Sequence, residues 1–371
     1  MIDPIATIEV GTARLDLPAP IRIASGEIRS REYAAVRVTT EQGLSGCAYC
    51  LTREAPVAAC VHRLVAPALI GCDSADPESA WRRASRATIM PGRVGLVVRA
   101  VGLVDIALWD IAARRQGVPL WKLLGAEHSR LAVMSVAAYP TPDRTPKSLA
   151  GDVLRNAAAG HRLVKIARDP DPARMAQLLD ALKTPLPAGT GLVIDAGYAW
   201  TDAASAVAEV ALWDAPKLAW LEDPLVPEDI EGYRTLSGAL GQRIGAGDEL
   251  SSMAVYRDLL REAVLDVLRL DLVCIGGVTP AREVLQLAER HGVEVSFHVY
   301  PEMSAHVAAA SEALIESFER DLPGGNPLDP ADRLISGGPV FAGGSAELGD
   351  RPGLGFELDW EQFSMSPSPM R

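Results

Sequence analysis

No apolar run in the chain approaches the 18 or so residues that a membrane helix needs. The start, Met-Ile-Asp-Pro, shows no basic stretch followed by an apolar core, so no secretory signal and a cytoplasmic location are expected. Cysteine is scarce and odd in number: Cys47, Cys50, Cys60, Cys72 and Cys274. That count does not suit a disulfide framework and fits reduced thiols. Cys47-Ala-Tyr-Cys50 is a lone CxxC with no second pair, and His62 alone gives poor support for a zinc site. There is no excess of basic charge either. The formal net charge is -12, which argues against a nucleic-acid partner. It says little about a small anionic substrate, because a metal and local lysines set the local field. What remains is ordinary globular composition, 48% hydrophobic and 23% charged, over 371 residues, long enough for a large domain and a smaller one.

Two organisations follow one another along the chain. In the first, Ala34–Thr40 alternates like a half-buried strand, and Glu41-Gln-Gly-Leu reads as a turn before another strand. An apolar helix is expected from about Gly95 to Gln116, stopped by Gly117-Val-Pro. Together these suggest an α+β unit ending near Gly125. From Leu131 strand and helix alternate. Strands are expected at Leu131–Ala137, Arg162–Ile166, Gly191–Asp195, Lys217–Glu222, Arg243–Ala246, Val267–Leu272, Val293–Phe297 and Ala313–Phe318. Eight strands at such spacing are the count of a (β/α)8-type barrel. A doubly wound sheet would favour a glycine-rich phosphate turn after its first strand, and none is present. The tail from about Ser336 is rich in glycine and proline and is expected to return to the first unit.

Three acids end three consecutive strands: Asp195, Glu222 and Asp248, 27 and 26 residues apart, about one barrel repeat. Three carboxylates at one rim make a cage for a hard divalent cation, most simply magnesium. Any one of them alone is more often a helix cap or a solvated loop residue. The other strand ends, however, supply Lys165, Asp271, His298 and Glu319, and ionisable groups on seven strands are hard to explain as surface decoration. Charge then suggests roles. The cation would bind a substrate carboxylate and stabilise the dianion left when the α-proton departs. Lys165, near a dication, would lose its proton readily and act as general base. His298 would serve as a second acid or base, oriented by Asp271. A protonated Glu319 would donate to the enolate oxygen.

These motifs resemble the enolase superfamily, and within it the mandelate racemase-like subgroup. The likeness rests on Ala107-Leu-Trp-Asp-Ile-Ala and Pro119-Leu-Trp-Lys-Leu-Leu-Gly, and on Asp195-Ala-Gly-Tyr-Ala-Trp, Leu221-Glu-Asp-Pro, Gly247-Asp-Glu and Ile275-Gly-Gly-Val-Thr. Ser296-Phe-His-Val-Tyr-Pro-Glu-Met-Ser-Ala-His completes it. The resemblance covers nearly the whole chain. It implies a (β/α)7β modified TIM barrel (128–335) with an N-terminal α+β capping domain (1–127) that the C-terminal segment (336–371) completes. It implies one magnesium ion held by Asp195, Glu222 and Asp248, Lys165 as base, a His298–Asp271 dyad and Glu319 as electrophilic acid. It also implies a small carboxylate substrate and a homo-oligomer, often an octamer. Asp271 stands where the muconate lactonizing-like subgroup has a lysine base, which argues against that subgroup. Two departures stand out. The first lysine of the family's Lys-x-Lys is Leu163 here, which should leave Lys165 more basic unless Arg168 or His161 compensates. The third ligand is Asp248 where glutamate is common, and Glu249 is the alternative ligand.

Other residues carry weaker signals. Ser25–Arg31 resembles the family's flexible cap loop, where Arg29 or Arg31 could meet a polyhydroxy acid or be solvated. Tyr49 and Cys50 lie where a second cap loop would set specificity, and Arg168 and Glu249 are further candidates for substrate contact. Trp109, Trp121 and Trp220 read as core, His306 as structural and Cys274 as packing. The reaction expected is dehydration of a sugar acid to a 2-keto-3-deoxy acid. Racemisation or epimerisation of an α-hydroxy acid is the alternative, since it too needs two bases. A Schiff-base aldolase using Lys165 and a catalytically silent binding protein are more remote readings.

Overall fold

The computed structural model describes residues 2–23, 26–183, 186–213, 218–312, 314–321 and 328–366, with 314–321 described by backbone alone. The chain opens with three antiparallel strands, β1 (Ile5–Ile23), β2 (Gly26–Thr40) and β3 (Ser45–Leu51). The segment resembling a flexible cap loop is, from Gly26 onward, strand: Ile21 pairs with Ile28 and Ile23 with Gly26, making a long two-stranded ribbon. The signal for β1 is masked in the sequence by Pro18 and Pro20. They fall where the register shifts between Asp16 and Ile21, a place where a missing N–H costs no ladder bond. Helix α1 (Pro77–Ala87) packs on helix α2 (Leu96–Gln116), which in turn packs on this sheet. Helix α2 is buried along nearly its whole length and ends at Gly117, whose left-handed φ of 68° closes it as expected.

Eight parallel strands then close into a barrel. In chain order they are β4 (Met134–Ala137), β5 (Leu163–Ala167), β6 (Gly191–Asp195), β7 (Leu218–Glu222), β8 (Ile244–Ala246), β9 (Val267–Asp271), β10 (Glu294–His298) and β11 (Leu314–Asp321). Among the described residues seven helices separate them: α3 (Pro146–Ala158), α4 (Pro172–Ala181), α5 (Ala203–Val210), α6 (Ile230–Ala239), α7 (Met253–Arg261), α8 (Val278–His291) and α9 (Pro301–Ala308). β4 pairs with both β5 and β11, and β8 with β9, so the ring has no free edge. The valine, isoleucine and leucine runs that form these strands are covered on both faces, as parallel strands require. The expected first strand divides at Val133. Arg130–Ala132 pairs instead with Ser345–Glu347, and Val133 donates its N–H to Gly344. The tail returns to the first sheet, where β12 (Ser364–Ser366) pairs with β1.

One contact holds the first unit over the carboxyl ends of the barrel strands, and a second holds that unit's own sheet against α2. Leu17 and Ile21 of the ribbon form a small apolar cluster with Val136, Tyr139 and Ala167, sealing the ribbon's tip against the barrel mouth. Gly46 lies so close to α2 that a Cβ there would come within 2.2 Å of the Ala107 carbonyl. Cys47 and Cys50 are three apart on β3, so they point to opposite faces. Both are buried, and burial pushes the Cys50 thiol up to about 12, which leaves an inert thiol rather than a zinc or redox pair.

Candidate active site

Period-two alternation sends Leu163 and Lys165 of β5, Val193 and Asp195 of β6, Trp220 and Glu222 of β7, and Val267, Arg269 and Asp271 of β9 into the barrel. The lower layer is apolar: Met134, Leu163, Val193, Trp220 and Val267 pack together. Leu163, standing where the resemblance leads one to look for a lysine, is part of this apolar floor. Directly above it lie the charges.

The ligand oxygens of Asp195, Glu222 and Asp248 all lie within 4.8 Å of one another. The Lys165 ammonium sits among them. It is 3.0 Å from Asp195 Oδ2 and 3.6 Å from Asp248 Oδ2, and it donates a short hydrogen bond to Glu222 Oε1. An ammonium held by three converging carboxylates marks the position a small hard dication would take, and an all-oxygen donor set suits magnesium. Glu222 is fully buried, and burial pushes its pKa up to about 7 against the pull of Arg269 and Lys165, with Asp248 and Asp195 adding to the rise. Burial would raise Asp248 as well, but His298, Arg269 and Lys165 hold it at about 2.

Sequence reasoning missed Arg269. Its guanidinium is wholly buried, with Nε 3.1 Å from Glu222 Oε2 and 3.2 Å from Asp248 Oδ1, and Nη1 donates to Ser296. It supplies a second positive charge beside the ligand carboxylates, where the missing strand-two lysine leaves none. Neither Arg168 nor His161, the two residues that could have compensated, does so. Arg168 is engaged with Glu209 and lies over the Trp200 ring. His161 bonds the Val133 carbonyl at the amino end of the barrel. The signal for Arg269 was its spacing, two residues before Asp271 on the same inward face of a buried strand. Trp220 also does more than pack, since its indole N–H donates to Glu222 Oε2 at 2.8 Å.

Asp271 and His298 end neighbouring strands, paired in register. Asp271 Oδ1 accepts the N–H groups of Val273 and Cys274, and Oδ2 lies 3.0 Å from His298 Nδ1. A carboxylate so engaged leaves Nδ1 as the donor and turns Nε2 to the cavity, 3.5 Å from Asp248 Oδ2. After His298 the backbone is held in the left-handed region at Val299 (φ 46°) and Tyr300 (φ 50°), a costly conformation for a β-branched residue at a site rim. Glu319 lies on β11 with its backbone paired to Met134. Its side chain is outside the described residues.

A cavity of about 370 Å³ opens above these groups, lined among others by Arg31, Arg53, Tyr139, Lys165, Arg168 and His298. Of the expected substrate contacts, Arg168 and Glu249 line it. Glu249 does not join the three carboxylates: Arg53 Nε holds its Oε1 at 2.8 Å, and Arg99 holds its Oε2. These two arginines keep its pKa well below the usual range despite burial. Two expectations do not fit. Arg29 points to solvent and pairs with Glu27 at 2.5 Å. Tyr49 is buried against Tyr300 and Phe356, and its hydroxyl donates to Glu302 at 2.7 Å, away from the cavity. Its position after a strand suggested a loop, but β3 runs on past it to Leu51. Tyr198 and Asp223 steady the Asp248 loop instead. The Tyr198 hydroxyl donates to the Asp248 carbonyl, and Asp223 Oδ1 accepts the Gly247 N–H at 3.0 Å.

Residues 6–125 match the mandelate racemase / muconate lactonizing enzyme N-terminal domain, and residues 149–362 match the enolase C-terminal domain-like family. The L-talarate/galactarate dehydratase of Salmonella typhimurium is 29% identical over 97% of this chain and 88% of its own length. The structure of the L-talarate dehydratase from Polaromonas sp. JS666, complexed with Mg and L-glucarate, superposes with a TM-score of 0.85 at 26% identity, covering 98% of each chain. A racemase from Streptomyces coelicolor A3(2) with bound magnesium superposes with a TM-score of 0.85 at 26% identity, covering 96% of this chain and 98% of that one.

Proposed function

Because the chain belongs to the mandelate racemase / muconate lactonizing enzyme family of the enolase superfamily, we propose that it is a magnesium-dependent enzyme that removes the proton α to a carboxylate and dehydrates a sugar acid. The observation that carries this reading is the meeting of two proton-transfer groups at one oxygen. Lys165 Nζ and His298 Nε2, from strands β5 and β10, lie 3.6 and 3.5 Å from the same Asp248 Oδ2, in a cavity that Asp195 and Asp248 also line. Asp195, Glu222 and Asp248 would hold the ion. When bound, it neutralises these carboxylates and supplies Lewis acidity that favours negative charge on the substrate carboxylate.

The protein's own groups do the rest. Lys165 Nζ takes the α-proton as the C–H bond breaks. His298, held by Asp271, delivers a proton from Nε2 to the β-hydroxyl, so the C–O bond breaks and water leaves. Glu319 is assigned as the donor to the substrate carboxylate oxygen. The enol product then ketonises to a 2-keto-3-deoxy acid. The apolar floor of Leu163, Val193 and Trp220 strengthens the electrostatics above it. If the β-hydroxyl is not expelled and His298 instead returns a proton to the α-carbon, the same pair produces a racemase or epimerase, and the likeness to a racemase favours keeping that second reading.

A homo-oligomer in the cytoplasm completes the proposal. All five cysteines are free thiols, which suits a reducing compartment, and no helix among the described residues is long and apolar enough to cross a membrane.

The test is α-proton exchange in deuterated water with magnesium, followed by proton NMR over aldonic, aldaric and aromatic α-hydroxy acids. Exchange with a 2-keto acid appearing is expected, reduced by roughly 10²- to 10⁴-fold in Lys165→Ala. Inversion without a keto acid would assign the isomerase instead, and no exchange on any acid would sink both.

A further inference from the structure

The two oxygens of each carboxylate at the metal site are not equivalent. Asp195 Oδ1 accepts the Gly197 N–H at 2.9 Å, while Oδ2 lies 3.0 Å from Lys165 Nζ and 3.4 Å from the Tyr139 hydroxyl. Glu222 Oε2 accepts the Trp220 indole N–H at 2.8 Å and lies 3.1 Å from Arg269 Nε, while Oε1 accepts from Lys165. Asp248 Oδ1 lies 3.2 Å from the same Arg269 Nε, while Oδ2 faces Lys165 and His298 Nε2. One oxygen of each acid therefore faces the ammonium that marks the ion's position, and its twin is tied to an N–H of the protein.

Arg269 ties two of the three. Its guanidinium is wholly buried, and Nη1 donates to Ser296 on β10, so its direction is set by a strand that carries none of the three acids. An oxygen held in a buried wall by a charge-assisted hydrogen bond cannot turn to join its twin on an ion without losing that bond. Glu222 and Asp248 are thereby limited to one oxygen each. Magnesium suits such a set, since it demands a small octahedron of single oxygens at short distance. Calcium takes more oxygens at longer distance and commonly draws on both oxygens of a carboxylate.

We propose that Arg269 is a positioning residue that sets the metal selectivity of the site: it holds Glu222 and Asp248 to single-oxygen ligation and so favours magnesium over calcium. The inference rests on the reading of the three carboxylates as the metal site, and not on whether the acid that binds there is dehydrated or inverted. Calcium held through both oxygens of either acid would occupy coordination positions that the substrate carboxylate needs.

The experiment measures magnesium and calcium affinities without substrate, by calorimetry on the full-length protein, with infrared difference spectra of the carboxylates on adding each ion. The wild-type protein is expected to bind magnesium more tightly than calcium. Arg269→Met, which has no donor, should narrow that ratio by about tenfold, the scale of one charge-assisted contact. Loss of a positive charge tightens both divalent ions alike and cancels in the ratio, as does a general loosening of the site. The splitting between antisymmetric and symmetric carboxylate stretches should stay wide with calcium in the wild-type protein, as single-oxygen ligation requires, and narrow in Arg269→Met. Ser296→Ala, which removes only the anchor of Nη1, should move both readouts in the same direction by less, and it carries the test if circular dichroism shows Arg269→Met to be misfolded. A ratio and a splitting unmoved by these substitutions would overturn the inference and leave the metal site standing. No binding of either ion to the wild-type protein would overturn both.

Discussion

At the scale of single residues, the site is a problem of placing charge out of water. Glu222 has no exposure at all and is tolerated because Lys165, Trp220 and Arg269 all donate to it. Removing one partner from such a cluster leaves an uncompensated buried charge, which costs about 3–5 kcal/mol. Arg269→Gln is therefore expected to lower stability by that order, read by urea denaturation. Excess magnesium should restore part of the loss, because a bound dication supplies charge at the same carboxylates and adds about 2.7 kcal/mol at a hundredfold excess over its Kd. An unchanged midpoint in the metal-free variant would show that Arg269 is not needed to balance Glu222. The acids that do the chemistry also differ physically from their neighbours in sequence. Asp171, Asp202 and Asp229 cap helices through their side chains, and the strand-end acids do not.

At the scale of elements, close approach of backbones decides how the cap sits on the barrel. Gly102 lies inside α2, where alanine would ordinarily stabilise a helix by about 1 kcal/mol. Here a Cβ would come within 2.5 Å of the Val273 carbonyl and 2.9 Å of the Gly276 carbonyl carbon, both backbone atoms of the loop after β9. Overpacking of that kind costs about 1–3 kcal/mol, so the sign should reverse. Gly102→Ala is expected to destabilise the protein in urea. A gain of stability would mean that α2 and the loop can separate freely. The same contact matters for function, because the loop after β9 carries the two N–H groups that hold Asp271. Helix α2 contributes Arg99, which with Arg53 clasps Glu249 across the boundary.

At the scale of the whole molecule, His306 ties together three distant parts of the chain. On helix α9, its Nδ1 accepts the Trp121 N–H, and Nε2 donates to the Leu354 carbonyl of the returning tail. Only the neutral ring can do both. Burial, with the Leu354 hydrogen bond opposing it, lowers its pKa from 6.5 to about 4. Between those values the unfolded chain binds more protons than the folded one, so stability rises with pH across that window. The contribution is complete above pH 6.5 and is lost as pH falls towards 4, by up to about 3 kcal/mol. Unfolding followed from pH 8 to pH 4 should show this fall, and His306→Gln should flatten it. An unaltered slope in the variant would assign the acid sensitivity to other groups.

The amino-acid sequence by itself determined the barrel and most of its chemistry. Apolar runs of β-branched and leucine residues, each short and ending in one ionisable residue at repeat spacing, mark both strand and rim, because a parallel strand covered on both faces is apolar on both. Asp195, Glu222, Asp248, Lys165, Asp271 and His298 were legible for that reason. What only the tertiary structure decided were relations between segments far apart in sequence. Arg31 looks no different from Arg29 in the sequence, yet the ribbon's register buries one and leaves the other in solvent. Arg269 reads as a misplaced charge until β7 and the Asp248 loop bring carboxylates to it. Tyr49 has the place of a loop residue but is turned inwards by a strand that continues. In each case local pattern sets which face a side chain takes, and the closure of the barrel under its cap sets what that face meets.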